Sequence, residues 1–381
     1  MSVYLDWAAT AVPDPQAIRL FSETSLTHFA NPASPHAPGK RASDALEEAR
    51  RRCADALNVP SRGIFFTSGG TESDHLPLLS LLQRPVRGSI AISALEHPAV
   101  AEQARAMERL GFEILRIPPN AEGFVTPEAV SATVRSDTLL VAVMAVHNES
   151  GAIQPVGDIA DSLTTRCAGA RRPHFHVDAV QAVGKVRFRF DTPGIDSFAV
   201  SAHKIGGPRG IGLLYAAKPF EPFLRGGGQE NGIRSGTVNV AGATALAHCL
   251  ERCLSSNDEI DRVGDIGTAL VRALSSIPEI GILPRGRSAD CQGYSPAIVQ
   301  CTNESLPGEV LVRVLSERGF HISTGSACSS KKGRQTGLEA MKVAADAARN
   351  AVRVSIGPST TPEEITAFAA ALSSAARGDT E

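Results

Sequence analysis

A chain of 381 residues with 43% hydrophobic composition is long enough for one large domain or two moderate ones, each with a buried core. Thirty-eight basic side chains against 40 acidic ones leave a formal charge of −2, and no basic block is dense enough for a nucleic-acid footprint, so small-molecule chemistry is the better expectation. The seven cysteines form no C-x-x-C pair and no paired spacing of a secreted framework, which excludes a disulfide scaffold and reads as reduced thiols of a cytoplasmic protein.

The chain opens on Tyr4-Leu5-Asp6-Trp7 without a basic n-region, apolar h-region or cleavage site, so no signal peptide is expected. Further on, Ala42, Ala45, Leu46, Ala49, Cys53, Ala56 and Leu57 recur at helical spacing, with Glu47, Glu48, Arg50, Arg51 and Arg52 on the opposite face. That pattern predicts a helix packed on a sheet. From about residue 60 to 217, short apolar runs alternate with longer amphipathic ones, as in βα units wound on a mainly parallel sheet. The predicted strands are 63–67, 89–93, 113–117, 139–146, 174–177, 197–201 and 212–216. The run 139–146 is less than half of the ~20 residues a membrane-spanning helix needs, and no membrane association is expected. After the glycine-rich stretch 225–236, the alanine- and leucine-rich segment 240–254 predicts a long helix, and the turn-forming Ser255-Ser256-Asn257-Asp258 marks a change of domain. The remainder mixes strand-like pieces, 297–300 and 352–356, with helices. The last helix has a clear start in Thr361, Pro362 and Glu364, a T-x-x-E capping box.

Four segments carry chemistry. Lys204 lies in Ser201-Ala202-His203-Lys204-Ile205-Gly206-Gly207, at the end of an apolar strand, where open α/β sheets place their ligands. It is either a Schiff-base amine or a surface lysine before a turn. In His176-Val177-Asp178-Ala179-Val180-Gln181, Asp178 is either the acidic partner of a pyridine nitrogen or a helix N-cap. Thr67-Ser68-Gly69-Gly70-Thr71-Glu72-Ser73 reads as a strand, a glycine turn and a polar helix start, fit to bind phosphate or simply to turn. Near the C-terminus, Ser326-Ala327-Cys328-Ser329-Ser330 sets a thiol among small residues close to Lys331 and Lys332, as a candidate nucleophile or an incidental cysteine. The pairs His174-x-His176 and His248-Cys249 with Cys253 have metal-like spacing, but strand alternation and helical packing explain them at least as well, and no metal is expected.

In this order the elements resemble the cysteine desulfurases, NifS/IscS-like enzymes of the class V aminotransferase group. Further landmarks are Asn31-Pro32-Ala33-Ser34, Glu96-His97, Asn148-Glu149-Ser150-Gly151, Arg234-Ser235-Gly236-Thr237 and Arg353-Val354-Ser355-Ile356-Gly357, so the resemblance covers almost the whole chain. It implies an α/β fold of the fold-type I class of pyridoxal-phosphate (PLP) transferases, with a mainly parallel seven-stranded sheet domain and a smaller α+β C-terminal domain. Residues 15–255 would form the large cofactor domain, and 1–14 with 256–381 the small domain carrying the cysteine loop.

The resemblance assigns Lys204 to covalent hold of the cofactor, Asp178 to its pyridine nitrogen, and His97 to stacking on its ring and to acid–base work. Gly70, Thr71, Ser201 and His203 would bind the phosphate, Asn148 and Gln181 the ring oxygen region, and Thr237 the partner subunit's cofactor in a homodimer. Arg353 would grip the carboxylate of L-cysteine, with Asn31 and Asn148 nearby. Cys328 would take the sulfur as a persulfide and pass it to an acceptor protein serving iron–sulfur clusters, other sulfur-containing cofactors or tRNA thiolation. A selenocysteine lyase, a class V aminotransferase or a non-enzymatic sulfur carrier are the alternatives, and Cys328 separates the first from the second. The chain departs from the family pattern at Trp7, His147, Ala202 and Gln229.

Overall fold

Short, unbroken apolar runs become strands in this chain, because a strand covered by helices on both faces has no polar side to alternate with. The computed structural model describes residues 2–169, 171–325 and 337–377. A two-residue strand, β1 (Val3–Tyr4), precedes β2 (Ile64–Thr67), β3 (Ser89–Ser93), β4 (Glu113–Ile117) and β5 (Thr138–Ala142). β6 (His174–Asp178), β7 (Ser197–Ser201) and β8 (Gly212–Ala216) follow. Seven of these form the central sheet in the order β2-β8-β7-β6-β5-β3-β4. β8 runs antiparallel to both its neighbours and every other pair is parallel.

These strands agree with the predicted ones to within a residue at each end, except at 139–146. There the strand ends at Ala142: Val143 and Ala145 N–H still donate to β6 carbonyls, but the Met144 N–H donates to the Glu96 carboxylate (2.7 Å) and Val146 bridges back to Ile153. Val143 to Val146 nonetheless remain buried, and burial alone does not separate a strand from an interior turn.

The predicted amphipathic helix spans Ala37–Leu57 and turns Ala42, Leu46, Ala49, Cys53 and Leu57 inward. It packs against the helix Val240–Leu254, which coincides with the predicted segment. Beyond it, β9 (Ile280–Leu283), β10 (Ile298–Asn303) and β12 (Ala351–Ser355) form an antiparallel sheet in the order β12-β10-β9. β11 (Phe320–His321) pairs with β1, and Asp6 bridges to Ser355, so the N-terminus is tied to the C-terminal part of the chain. The final helix, Pro362–Arg377, starts on the predicted box. Thr361 N–H donates to Glu364 (3.0 Å) and Glu364 N–H to the Thr361 hydroxyl (3.3 Å). One cluster of buried apolar side chains extends from Val3 through both sheets to Ala376. Among the described residues no helix is long and apolar enough to cross a membrane.

Candidate active site

Parallel strands bring their carboxyl ends to one edge of a sheet, and the loops leaving those ends enclose a cavity of about 520 Å³. β2 leads through Gly69 into the helix Gly70–Ser80, which brings Gly70 and Thr71 to the rim. β6 delivers Asp178 and then Gln181, and β7 delivers Ser201, His203 and Lys204. His97 and Asn148 follow the ends of other central strands, whereas Arg353 comes from the middle of β12 in the second sheet.

At one end the cavity is made for an anion. The helix Gly70–Ser80 has no side-chain cap among the described residues, so its first N–H groups and the positive end of its dipole are open to a guest. A Cβ at position 70 would lie 2.7 Å from a Val180 methyl, so a larger residue would crowd this approach. Opposite, the Ser201 hydroxyl and His203 Nδ1 are 2.8 Å apart. Burial, then the nearby Lys204, holds the His203 ring near pKa 4, a neutral hydrogen-bonding group at ordinary pH.

The floor is a stack of buried acids. Asp178 accepts from the Val180 N–H (3.0 Å), and burial raises its pKa against the pull of His97 and Lys204. Behind it, burial and the charge of Asp178 raise Asp74 and push Glu96 up to about 8. Asp74 is hydrogen-bonded to His176 Nε2 (3.1 Å), whose Nδ1 meets Ser197 Oγ at 2.8 Å; His174 reaches the same oxygen at 2.7 Å. The histidine pair with metal-like spacing is therefore part of this network, and among the described residues no group of three metal-ligating side chains gathers. His97 Nδ1 accepts from the Ala99 N–H (3.1 Å), which leaves the ring proton on Nε2, and burial lowers its pKa.

Lys204 donates from Nζ to the carbonyls of Ala8 and Ala9, both at 2.7 Å. Burial, then the Arg353 charge, brings its pKa down to about 8. Gln181 also donates to Ala8 O (2.9 Å), and its Oε1 is buried without a hydrogen-bond partner among the described residues. Arg353 is paired through Nη2 with Asp6 (2.6 Å) and donates through Nη1 to Asn148 O (3.0 Å), while its Nε is buried with no hydrogen-bond partner among the described residues.

Two expected residues stand apart from this cavity, and a third cannot be placed against it. Asn31 lines a separate cleft with Glu47, Arg50 and Gln229, and its side-chain oxygen accepts from the Ala33 N–H (2.9 Å). Within one chain it is not brought to Asn148 and Arg353, because it closes its own turn. Thr237 does not line the cavity of its own chain. Cys328 lies outside the described residues. Conversely, the sequence reading assigned no role to Asp6, to the Ala8 and Ala9 carbonyls, or to Asp74. Asp74 could have been found, since it sits one helical turn after Thr71 on the same face.

The departures are accommodated. Trp7 lies against Gly357, where no side chain has room, and donates from Nε1 to Tyr4 O (3.1 Å). His147 Nδ1 meets Ser150 Oγ at 2.8 Å, Ala202 is fully buried, and Gln229 accepts from the Gly236 N–H (3.0 Å).

The sequence matches the family described as aminotransferase class-V over residues 3–368. It is 38% identical over 377 residues to a NifS/IcsS protein homolog of Lactobacillus delbrueckii subsp. bulgaricus, covering 97% of this chain and 96% of that protein. It is 34% identical over 369 residues to a Dictyoglomus turgidum protein named cysteine desulfurase IscS, covering 95% of this chain and 91% of that one. A solved structure described as a NifS-like protein superposes with a TM-score of 0.88 at 31% identity, covering 98% of this chain and 99% of its own. The chain belongs to the class V aminotransferases and, within them, to the cysteine desulfurase family.

Proposed function

We propose that this protein is a PLP-dependent cysteine desulfurase that converts L-cysteine to L-alanine and passes the sulfur through Cys328 to an acceptor protein. The observation that carries the reading is one cavity lined by an amine of depressed pKa, a buried acid and a guanidinium, namely Lys204, Asp178 and Arg353. The cavity suits the cofactor: an uncapped helix start with Ser201 and His203 for a phosphate, Asp178 for a ring nitrogen, His97 for a ring face, and the orphaned Gln181 oxygen for a polar substituent. When bound, PLP supplies an electron sink for the pair released at the substrate α-carbon.

The remaining steps belong to side chains. Lys204 would hold the cofactor through Nζ and, once displaced by the substrate amine, move the α-proton; a pKa of about 8 keeps a useful fraction of the amine neutral. Arg353 would exchange Asp6 for the substrate carboxylate, since its forked donors fit either carboxylate equally well. His97, with its proton on Nε2, is placed to hold or return a proton beside the cofactor ring. The Cys328 thiolate attacks the substrate sulfur, so that an S–S bond forms, the C–S bond breaks, and the carbon skeleton keeps the electron pair and is protonated to alanine.

We also propose a cytoplasmic homodimer in which Thr237 serves the partner's cofactor and Asn31 belongs to the shared site. In it, residues 15–255 act as the cofactor domain and residues 1–14 with 256–381 as the domain bearing Cys328. The test is anaerobic incubation of PLP-loaded protein with L-cysteine, following alanine and, with a reductant, sulfide. Alanine and sulfide in equal amounts are expected; cysteine left unconsumed would overturn the reading.

A further inference from the structure

A second cavity, of about 350 Å³, lies on the other side of Lys204, which lines both. Its wall is largely apolar, from Trp7, Val183, Val263, Ala297 and Ile356, and into this setting the chain places Lys185, only 8% exposed. An ammonium carries three donors, yet among the described residues the Lys185 side chain makes one hydrogen bond, a long one of 3.3 Å to the Lys204 carbonyl. A buried amine left in that condition is costly unless something answers it.

Among the described residues nothing on the wall does. Arg252 is already matched, ion-paired with Asp14 (3.1 Å) and Glu259 (2.9 Å) and donating to Ile205 O (3.1 Å), so those carboxylates are engaged elsewhere. Cys253 is a neutral thiol, because burial pushes it up to about 11. Lys204 and Arg353, the other charges felt by Lys185, are cations; with burial as the larger cause they bring its pKa to about 7. A cationic guest would meet repulsion, and a neutral apolar one would leave the amine unanswered. A polar guest would waste the wall. What remains is an anion with an apolar body, and a volume of this size suits a compact one.

We propose that this cavity is a binding site for a small monocarboxylate with an apolar body, the carboxylate on Lys185 and the body against Trp7. The site is separate from that of L-cysteine, which uses Arg353, and does not rest on the desulfurase reading. Because Lys185 holds the Lys204 carbonyl and Trp7 adjoins the carbonyls that bind Lys204 Nζ, a guest here contacts the support of that lysine from behind.

Trp7 is the only tryptophan in the chain, so its fluorescence reports on this cavity in the intact, cofactor-loaded protein. Titration with phenylacetate should give a saturable change in Trp7 emission. Phenylacetamide, of the same shape but uncharged, should bind about tenfold more weakly or worse, as should phenylacetate to Lys185→Met. Arg353→Leu should not weaken phenylacetate binding, and by removing a positive charge felt by Lys185 should if anything tighten it. No saturable change, equal affinity of acid and amide, or loss of binding in Arg353→Leu would each overturn the proposal, the last by placing the probe in the cysteine cavity. The acid–amide comparison uses the natural chain alone, so it decides the matter even if Lys185→Met does not fold.

Discussion

On the central-sheet side of the main cavity, burial drives titratable groups toward their neutral forms: His176 to about 3, His203 to about 4, Glu96 up to about 8 and Lys204 down to about 8. On the side of β12 the arrangement is opposite, with the Arg353 guanidinium already matched by the Asp6 carboxylate at 2.6 Å. A cluster of neutralised groups can take up a guest's charges as they arrive, because each proton has somewhere to move. A preformed ion pair can only exchange one anion for another, so it selects for a carboxylate. The first side is suited to holding a cofactor and the second to reading a substrate.

The largest expected effects test whether the two chemistries separate. Lys204→Ala should lower alanine formation by at least the roughly 10²- to 10⁴-fold that a positioned acid–base group contributes. Cys328→Ala should also abolish sulfur release, yet leave a change in cofactor absorbance on mixing with cysteine. Alanine produced by Cys328→Ala at the natural rate would replace the desulfurase reading with a thiol-independent lyase.

Next in size are the substitutions that set one side of the cavity against the other. Arg353→Lys keeps the charge but loses the fork, and loss of a charge-assisted hydrogen bond of about 1.5–3 kcal/mol should raise the KM for cysteine roughly 10- to 150-fold. Asp178→Asn should weaken cofactor retention by a similar factor, measured by equilibrium dialysis, with far less effect on that KM. If Asp178→Asn raised the KM and spared the cofactor, the division of labour would be wrong.

The central sheet was legible because buried parallel strands leave uninterrupted apolar runs, and the residues at their ends follow directly from the strand boundaries. Asp178 and Lys204, which line the cavity, were singled out in this way, whereas Ser201 was carried over by resemblance. The overrun at 139–146 had the opposite cause: Glu96, from a distant loop, takes the Met144 N–H, which no local pattern announces. Asp6 escaped because its partner, Arg353, lies 347 positions away in sequence. Asn31 was carried over by resemblance, and its own turn shows why local geometry did not support a place beside Arg353 within one chain.

A smaller and more selective effect comes from pH. An amine adds to an aldehyde only when neutral, so the rate at which apoprotein is loaded with PLP should climb with pH and level off above about 8, where Lys204 has lost its proton. Arg353→Leu removes a neighbouring positive charge, which favours the ammonium form, and should move the midpoint upward. Stopped-flow absorbance across pH 6 to 10 measures both. A midpoint that ignores Arg353 would mean that the two sides of the cavity are electrostatically independent.

The smallest expected effect asks whether the β12 side can be loosened without disturbing the other. Thr361 and Glu364 satisfy each other's backbone donors at the start of Pro362–Arg377, a helix that packs on Asp258–Ser275 and on Gly308–Glu317, the second of which contacts β12. Thr361→Ala removes the hydroxyl acceptor but keeps the Glu364 contact, so about 1 kcal/mol of stability should be lost. Thr361→Ser should recover most of it, since the capping oxygen returns. Because neither residue lines the main cavity, denaturation should begin earlier while cofactor absorbance and the pH midpoint of loading stay unchanged. A shift in that midpoint would tie the end of the last helix to the placement of Arg353, and the contrast between a rigid reader and an adaptable holder would have to be redrawn as one coupled unit.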